Sequence, residues 1–191
     1  MMNSLAITDA LLSAVTVWLA SRSFFPIGYR IAFLLLAISA LLGFLRFSGL
    51  YPLETWHPLF ALFGASAALP LLAICVLRPK SLVTTRKQFA LIFLCIAMLL
   101  GLIIAGLGKI RLYDQLLGLM SMLIMLGVLI KQGEFRRSVG PALMLLGSLL
   151  FVLKVDTSPW LLPGDWLHLG MAFGLLLFVP KTQFRTSLLS N

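Results

Sequence analysis

Acid is the scarcest chemistry in this 191-residue sequence: six Asp and Glu stand against 15 Lys and Arg, and charged residues make up only 11% of the chain. A soluble domain carries about 25% charged residues, so a water-facing globular surface cannot be assembled from so few. Histidine occurs only twice, whereas zinc chemistry needs at least three well-placed ligands. Cysteine also occurs twice, at Cys75 and Cys95, with no CxxC. A disulfide scaffold is thereby excluded, and two thiols inside apolar runs read as packing residues. HExxH, HxxxH, GxSxG, Walker A and Rossmann glycine patterns are missing, which removes the sequence signatures of the common hydrolase, nucleotide and dinucleotide sites. Long linkers are missing too; the longest polar stretch is Arg78–Lys87.

What is abundant is apolar. Hydrophobic residues form 61% of the chain and the mean hydropathy is +1.06. One small core cannot hide that excess, because roughly 30% of the unfolded chain's surface stays exposed at this length. The composition is also too apolar for disorder. Lipid is the solvent for most of this protein. A span needs about 20 mostly apolar residues, and the sequence predicts an all-α polytopic membrane protein of seven transmembrane helices in one domain. They run over Leu5–Leu19, Ile31–Leu50, Pro58–Leu77, Gln88–Leu107, Leu112–Ile130, Val139–Val155 and Trp166–Val179.

The formal charge of +9 would suggest nucleic acid in a soluble chain. Here it reads as topology. With the N-terminus outside and the C-terminus inside, the inner loops hold Arg22, Arg30, Arg78, Lys80, Arg86, Lys87, Lys131, Arg136, Arg137, Lys181 and Arg185. Only Arg46, Lys109, Arg111 and Lys154 remain outside, giving the positive-inside bias of 11 to 4. A multi-pass protein of a bacterial inner membrane is expected, with the lipid bilayer as its first partner and no nucleic acid. The inner basic loops suit anionic headgroups. A secretory signal at the N-terminus is disfavoured, because Met1–Ala10 has no Lys or Arg and contains Asp9.

The acids segregate the other way. Asp9, Glu54, Asp114, Asp156 and Asp165 fall on the outer half and Glu134 alone inside. Counting 1.5 Å per residue from the inner basic anchors puts Asp9 and His168 about 20 Å up, Arg46 and Asp165 about 24 Å, and Asp114 about 25 Å. A lone charge facing lipid at such depth is costly, so such groups face the bundle interior or a water-filled cavity. The candidate site is therefore an outward-facing polar cup of Asp9, Arg46, Asp114, Asp165 and His168. Asp114, with Lys154 and Asp156, lies nearer span ends, where an interfacial position competes. Asp9 is the expected ion-pair partner of Arg46, on the preceding helix.

Arg46 also interrupts a pattern. Ala40-Leu41-Leu42-Gly43, Met98-Leu99-Leu100-Gly101 and Met144-Leu145-Leu146-Gly147 are similar runs, and three positions after each glycine stand Arg46, Ile104 and Leu150. In the last helix Asp165 and His168 are i,i+3 and share a face. Gly170 and Gly174 form a GxxxG turned away from it, suited to close helix packing. In the third span Gly64–Ala68 precedes Pro70, where a kink is expected. Trp56, Trp160 and Trp166, with His57, fit an outer aromatic belt.

Thr8-Asp9, Gly43 followed by Arg46, and Gly164-Asp165-Trp166-Leu167-His168, in a seven-span layout, resemble uncharacterised bacterial relatives of the alkaline ceramidase and adiponectin receptor superfamily. The resemblance covers the layout of most of the chain and implies zinc-dependent lipid amidase chemistry or a descendant of it. The superfamily's HxxxH in the last helix is not kept, since Gly164 and Ala172 flank His168 at four residues. That departure puts a non-enzymatic descendant on equal terms with a hydrolase. No metal or cofactor is expected from the residues themselves. Three functions follow in order: a binding or structural protein whose polar cluster takes a ligand, lipid or partner protein; an intramembrane lipid hydrolase using Asp9, Asp165 and His168; and a proton- or solute-coupled transporter.

Overall fold

The computed structural model describes residues 3–50, 52, 54–108, 110–155 and 161–179, and among these there are helices and connecting turns but no strand. In chain order they are α1 (Ser4–Ser21), α2 (Ile27–Phe47), α3 (Trp56–Leu77), the single turn α4 (Leu82–Thr85), α5 (Lys87–Gly106), α6 (Ile110–Lys131), α7 (Phe135–Val152) and α8 (Pro163–Leu176). Six of them, α1 to α3 and α5 to α7, are long and apolar enough to cross a membrane. The seventh predicted span forms α8, whose 14 residues reach about 21 Å, short of a hydrocarbon core of about 30 Å.

The boundaries follow local chemistry. Asn3 caps α1, its side chain accepting from the backbone N–H of Leu5 at 3.2 Å. Pro26 precedes α2, which starts a turn earlier than its apolar run suggests. That extra turn carries Arg30, whose Nε donates to the carbonyl of Ala20 at 2.8 Å. A cation thus closes the C-terminal end of α1, where helix carbonyls are free and the dipole is negative.

Pro70 does not break α3. It has no N–H and would crowd the carbonyl four residues earlier, that of Ser66. The helix widens there into a π turn over Gly64–Ala68, with Leu69 N–H bonded to the carbonyl of Gly64. The expected kink is taken up as this wide turn.

The helices pack in a circuit in which α1 touches α2 and α8, α2 touches α3, α3 touches α6, α6 touches α7, and α7 touches α8. Side chains such as Phe33, Leu72, Met125, Met144 and Leu175 fill the interior as one apolar core. α5 lies outside the circuit, and its buried residues form the stripe Ala90, Leu94, Ala97 and Gly101. The tightest seam joins α7 to α8. A Cβ on Gly147 would stand 2.5 Å from the carbonyl oxygen of Trp166, and one on Gly174 2.6 Å from that of Gly140. The GxxxG of α8 is therefore a packing face, and α8 presents its opposite side to α1.

Candidate functional site

α1, α3 and α8 all begin at the end of the bundle where α2 finishes, so their N-termini bring partial positive charge to it. Buried carboxylates collect there. Asp165 is fully buried in the first turn of α8, behind Pro163. Its Oδ2 accepts from the backbone N–H of Leu162 at 2.7 Å, satisfying one free donor of the helix end. Its Oδ1 accepts from the Thr8 hydroxyl, also at 2.7 Å.

That short bond fixes the next one. Thr8 has a single hydroxyl proton and gives it to Asp165, so its lone pairs are left to accept. His168 Nδ1 lies 3.3 Å from Thr8 Oγ1 and 3.5 Å from Asp9 Oδ1. The network therefore assigns the Nδ1 proton of His168, pointed between the threonine oxygen and Asp9. Asp9 is 1% exposed, and its second oxygen, Oδ2, has no hydrogen-bond partner.

Oδ2 lies against Gly43 of α2. A Cβ on Gly43 would overlap the Asp9 carboxyl and stand 2.9 Å from His57 Nε2. Glycine is what lets the carboxylate of α1 and the imidazole of α3 approach one spot on α2. His57 Nδ1 is 3.1 Å from a terminal nitrogen of Arg46. A guanidinium only donates, so Nδ1 supplies the lone pair and Nε2 holds the ring proton. The His57 ring packs edge-on against Phe47, centroids 5.5 Å apart.

The structure thus brings Asp9, Asp165 and His168 together around Thr8. Arg46 belongs to the neighbouring pair with His57, and the expected Arg46–Asp9 ion pair does not form. Counting residues along each helix orders groups along one axis only and says nothing of direction around the bundle. The carboxylates are shut away from solvent, so the arrangement is a closed polar core, in contrast to the expected open cup. The His168 side chain, 16% exposed, is its most accessible member. Asp114 sits elsewhere: its Oδ1 accepts from the backbone N–H of Gln115 at 2.7 Å, and its helix, α6, packs on α3, α5 and α7. Trp56 is 54% exposed, as an aromatic belt requires, whereas Trp166 has a buried indole nitrogen without a partner. Asp156 and Trp160 lie outside the described residues.

Sequence reasoning missed His57 and Gly43 as members of the site. His57 next to Trp56 at a span end looks like belt chemistry, and one signal pointed inward: Gly43 closes one of three similar runs. In all three the glycine is a close approach, Gly101 meeting Ser66 Oγ at 2.9 Å from an added Cβ and Gly147 meeting Trp166. No group of three or more His, Cys, Asp or Glu suited to hold a metal ion occurs among the described residues.

Residues 4–182 match the model of a family described as a family of unknown function, DUF6962. No curated protein and no solved structure matches the chain.

Proposed function

The chain belongs to that family of unknown function, and from its buried site we propose a binding role. In this reading it is a small multi-pass membrane protein whose polar core takes a ligand, a lipid headgroup or a partner's side chain that donates a hydrogen bond to Asp9. The supporting observation is the orphaned Asp9 Oδ2, held beside Gly43. Buried polar atoms are nearly always paired, and one left unpaired calls for a donor. A carboxylate oxygen and the Nε2–H of His57, both brought to Gly43, suit a ligand hydroxyl, which can donate to the first and accept from the second. The same reading counts α8 as a seventh crossing, with the N-terminus outside, the C-terminus inside and a bacterial inner membrane as the setting. Its support is the 11 to 4 distribution of basic residues.

The test is native mass spectrometry of the full chain released from its own membrane. Wild type is expected to carry a co-purifying small molecule or lipid that Asp9→Asn loses and Lys80→Gln, at the far end, keeps. Identical adducts on wild type and Asp9→Asn would defeat the proposal.

A second reading is favoured by the meeting of Asp9, Asp165 and His168 on Thr8, the residues through which the chain resembles the ceramidase superfamily. A lipid hydrolase of that kind predicts stoichiometric zinc in the purified protein. Metal-free protein in elemental analysis removes it.

A further inference from the structure

The opposite end of the bundle carries a different feature. A groove of about 400 Å³ runs between the C-terminal half of α1 and the start of α5, floored by the first turns of α2. Val17, Ala20, Ile31 and Leu34 make its apolar walls, and Arg30 and Lys87 are its cationic members. Val17 and Leu34 are 52% and 51% exposed, so the walls open sideways from the bundle, toward lipid in a membrane.

Arg30 spends only its Nε on the protein, through the Ala20 carbonyl. The ion pairs among the described residues are Arg137–Glu134 and His168–Asp9; neither Arg30 nor Lys87 takes part. Glu134 is the single acid on this end, and Arg137 already holds it at 2.6 Å. Among the described residues the two groove cations therefore meet no protein anion, and they stand beside apolar walls. An amphiphile with a negatively charged phosphate and a hydrocarbon tail complements both parts. A zwitterionic lipid supplies the tail but adds a third cation beside the two already there.

We propose that this groove is a binding site for one anionic phospholipid, its phosphate between Arg30 and Lys87 and an acyl chain along Val17, Ile31 and Leu34. The mode is charge recognition at the headgroup and burial along the chain.

The experiment uses the full-length protein in detergent, titrated with phosphatidylglycerol or phosphatidylcholine and read by native mass spectrometry. Wild type is expected to hold one phosphatidylglycerol with at least about ten-fold preference over phosphatidylcholine. Arg30→Gln with Lys87→Gln should reduce that preference to about two-fold or less. Arg78→Gln with Lys80→Gln, which alters loop cations outside the groove, should leave it unchanged. Should the groove variant fail to fold, Leu34→Trp fills the channel from its lipid-facing wall and should lower occupancy by either lipid. Equal retention of the two lipids by wild type overturns the proposal, as does an equal loss in the loop variant, which would assign the effect to general surface charge. A chain that instead dimerises through this face and excludes lipid overturns it as well.

Discussion

The two ends of the bundle handle charge in opposite ways. Where α1, α3 and α8 begin, the carboxylates of Asp9 and Asp165 are inside, each almost fully removed from solvent, and their partners are single atoms at set distances. At the other end nine described cations share the surface with one acid. Their contacts run mostly to backbone and rings: Arg30 donates to the Ala20 carbonyl at 2.8 Å, Arg22 lies over the Trp18 ring at 4.4 Å, and Arg137 holds Glu134 at 2.6 Å. The difference is one of tolerance. A buried polar core depends on shape and on every donor finding its acceptor, because an unpaired group there forfeits its full desolvation cost. A basic rim depends on the number of charges and forgives the loss of one.

The strongest break in that contrast comes from filling the space over Gly43. Gly43→Leu must displace the Asp9 carboxyl and the His57 ring together, and overpacking of this kind costs about 3 kcal/mol. Reversible unfolding in mixed micelles should show it as a lower midpoint. An unchanged midpoint would mean that the polar end is as forgiving as the basic one.

Next in size is Asp165→Ala, which strands both the Leu162 N–H and the Thr8 hydroxyl. About 2 kcal/mol is expected for losing charge-assisted bonds at a helix end. Asp165→Asn can still accept one of the two donors, so it should fall between alanine and wild type in the same assay. Equal losses for the two substitutions would remove the double acceptor role.

A finer division lies inside the polar end. A double-mutant cycle on Arg46→Met and His57→Phe should return a coupling of about 1 kcal/mol, as for residues in direct contact. The cycle pairing Arg46→Met with Asp9→Asn should be additive to within about 0.5 kcal/mol. Reversed values would restore the ion pair expected from the sequence. The smallest effect belongs to the basic end: Lys80→Gln, exposed and unpaired, should move stability by about 0.5 kcal/mol or less.

These cycles also mark where the sequence stops being readable. The apolar runs locate the helices because hydrocarbon demands length, and their ends err by a turn where a polar residue such as Arg30 has work inside the helix. The i,i+3 spacing of Asp165 and His168 predicts a shared face from one helix alone, and they do share one. Asp9, which is buried, was legible as a charge inside an apolar run, which has to turn inward. The partner of Arg46 was not, because depth orders residues along one axis while the circuit of helices decides the other two. α2 ends beside the start of α3, so His57 reaches Arg46 first, whereas Asp9 is turned toward α8. The α7–α8 seam was half legible: Gly170 and Gly174 announced a close neighbour, but only the fold names Gly140 and Gly147 as the surface they meet.

The π turn of α3 has a consequence for anyone mapping this helix. One added residue over Gly64–Ala68 shifts the angular count by about 100°, so positions before Gly64 and after Ala68 do not share a helical wheel. A cysteine cross-linking scan of Trp56–Leu77 plotted on a single wheel would place Leu71, Leu72 and Cys75 on the wrong side. Plotted as two wheels, one for each half, the same scan recovers two neighbours for one continuous rod.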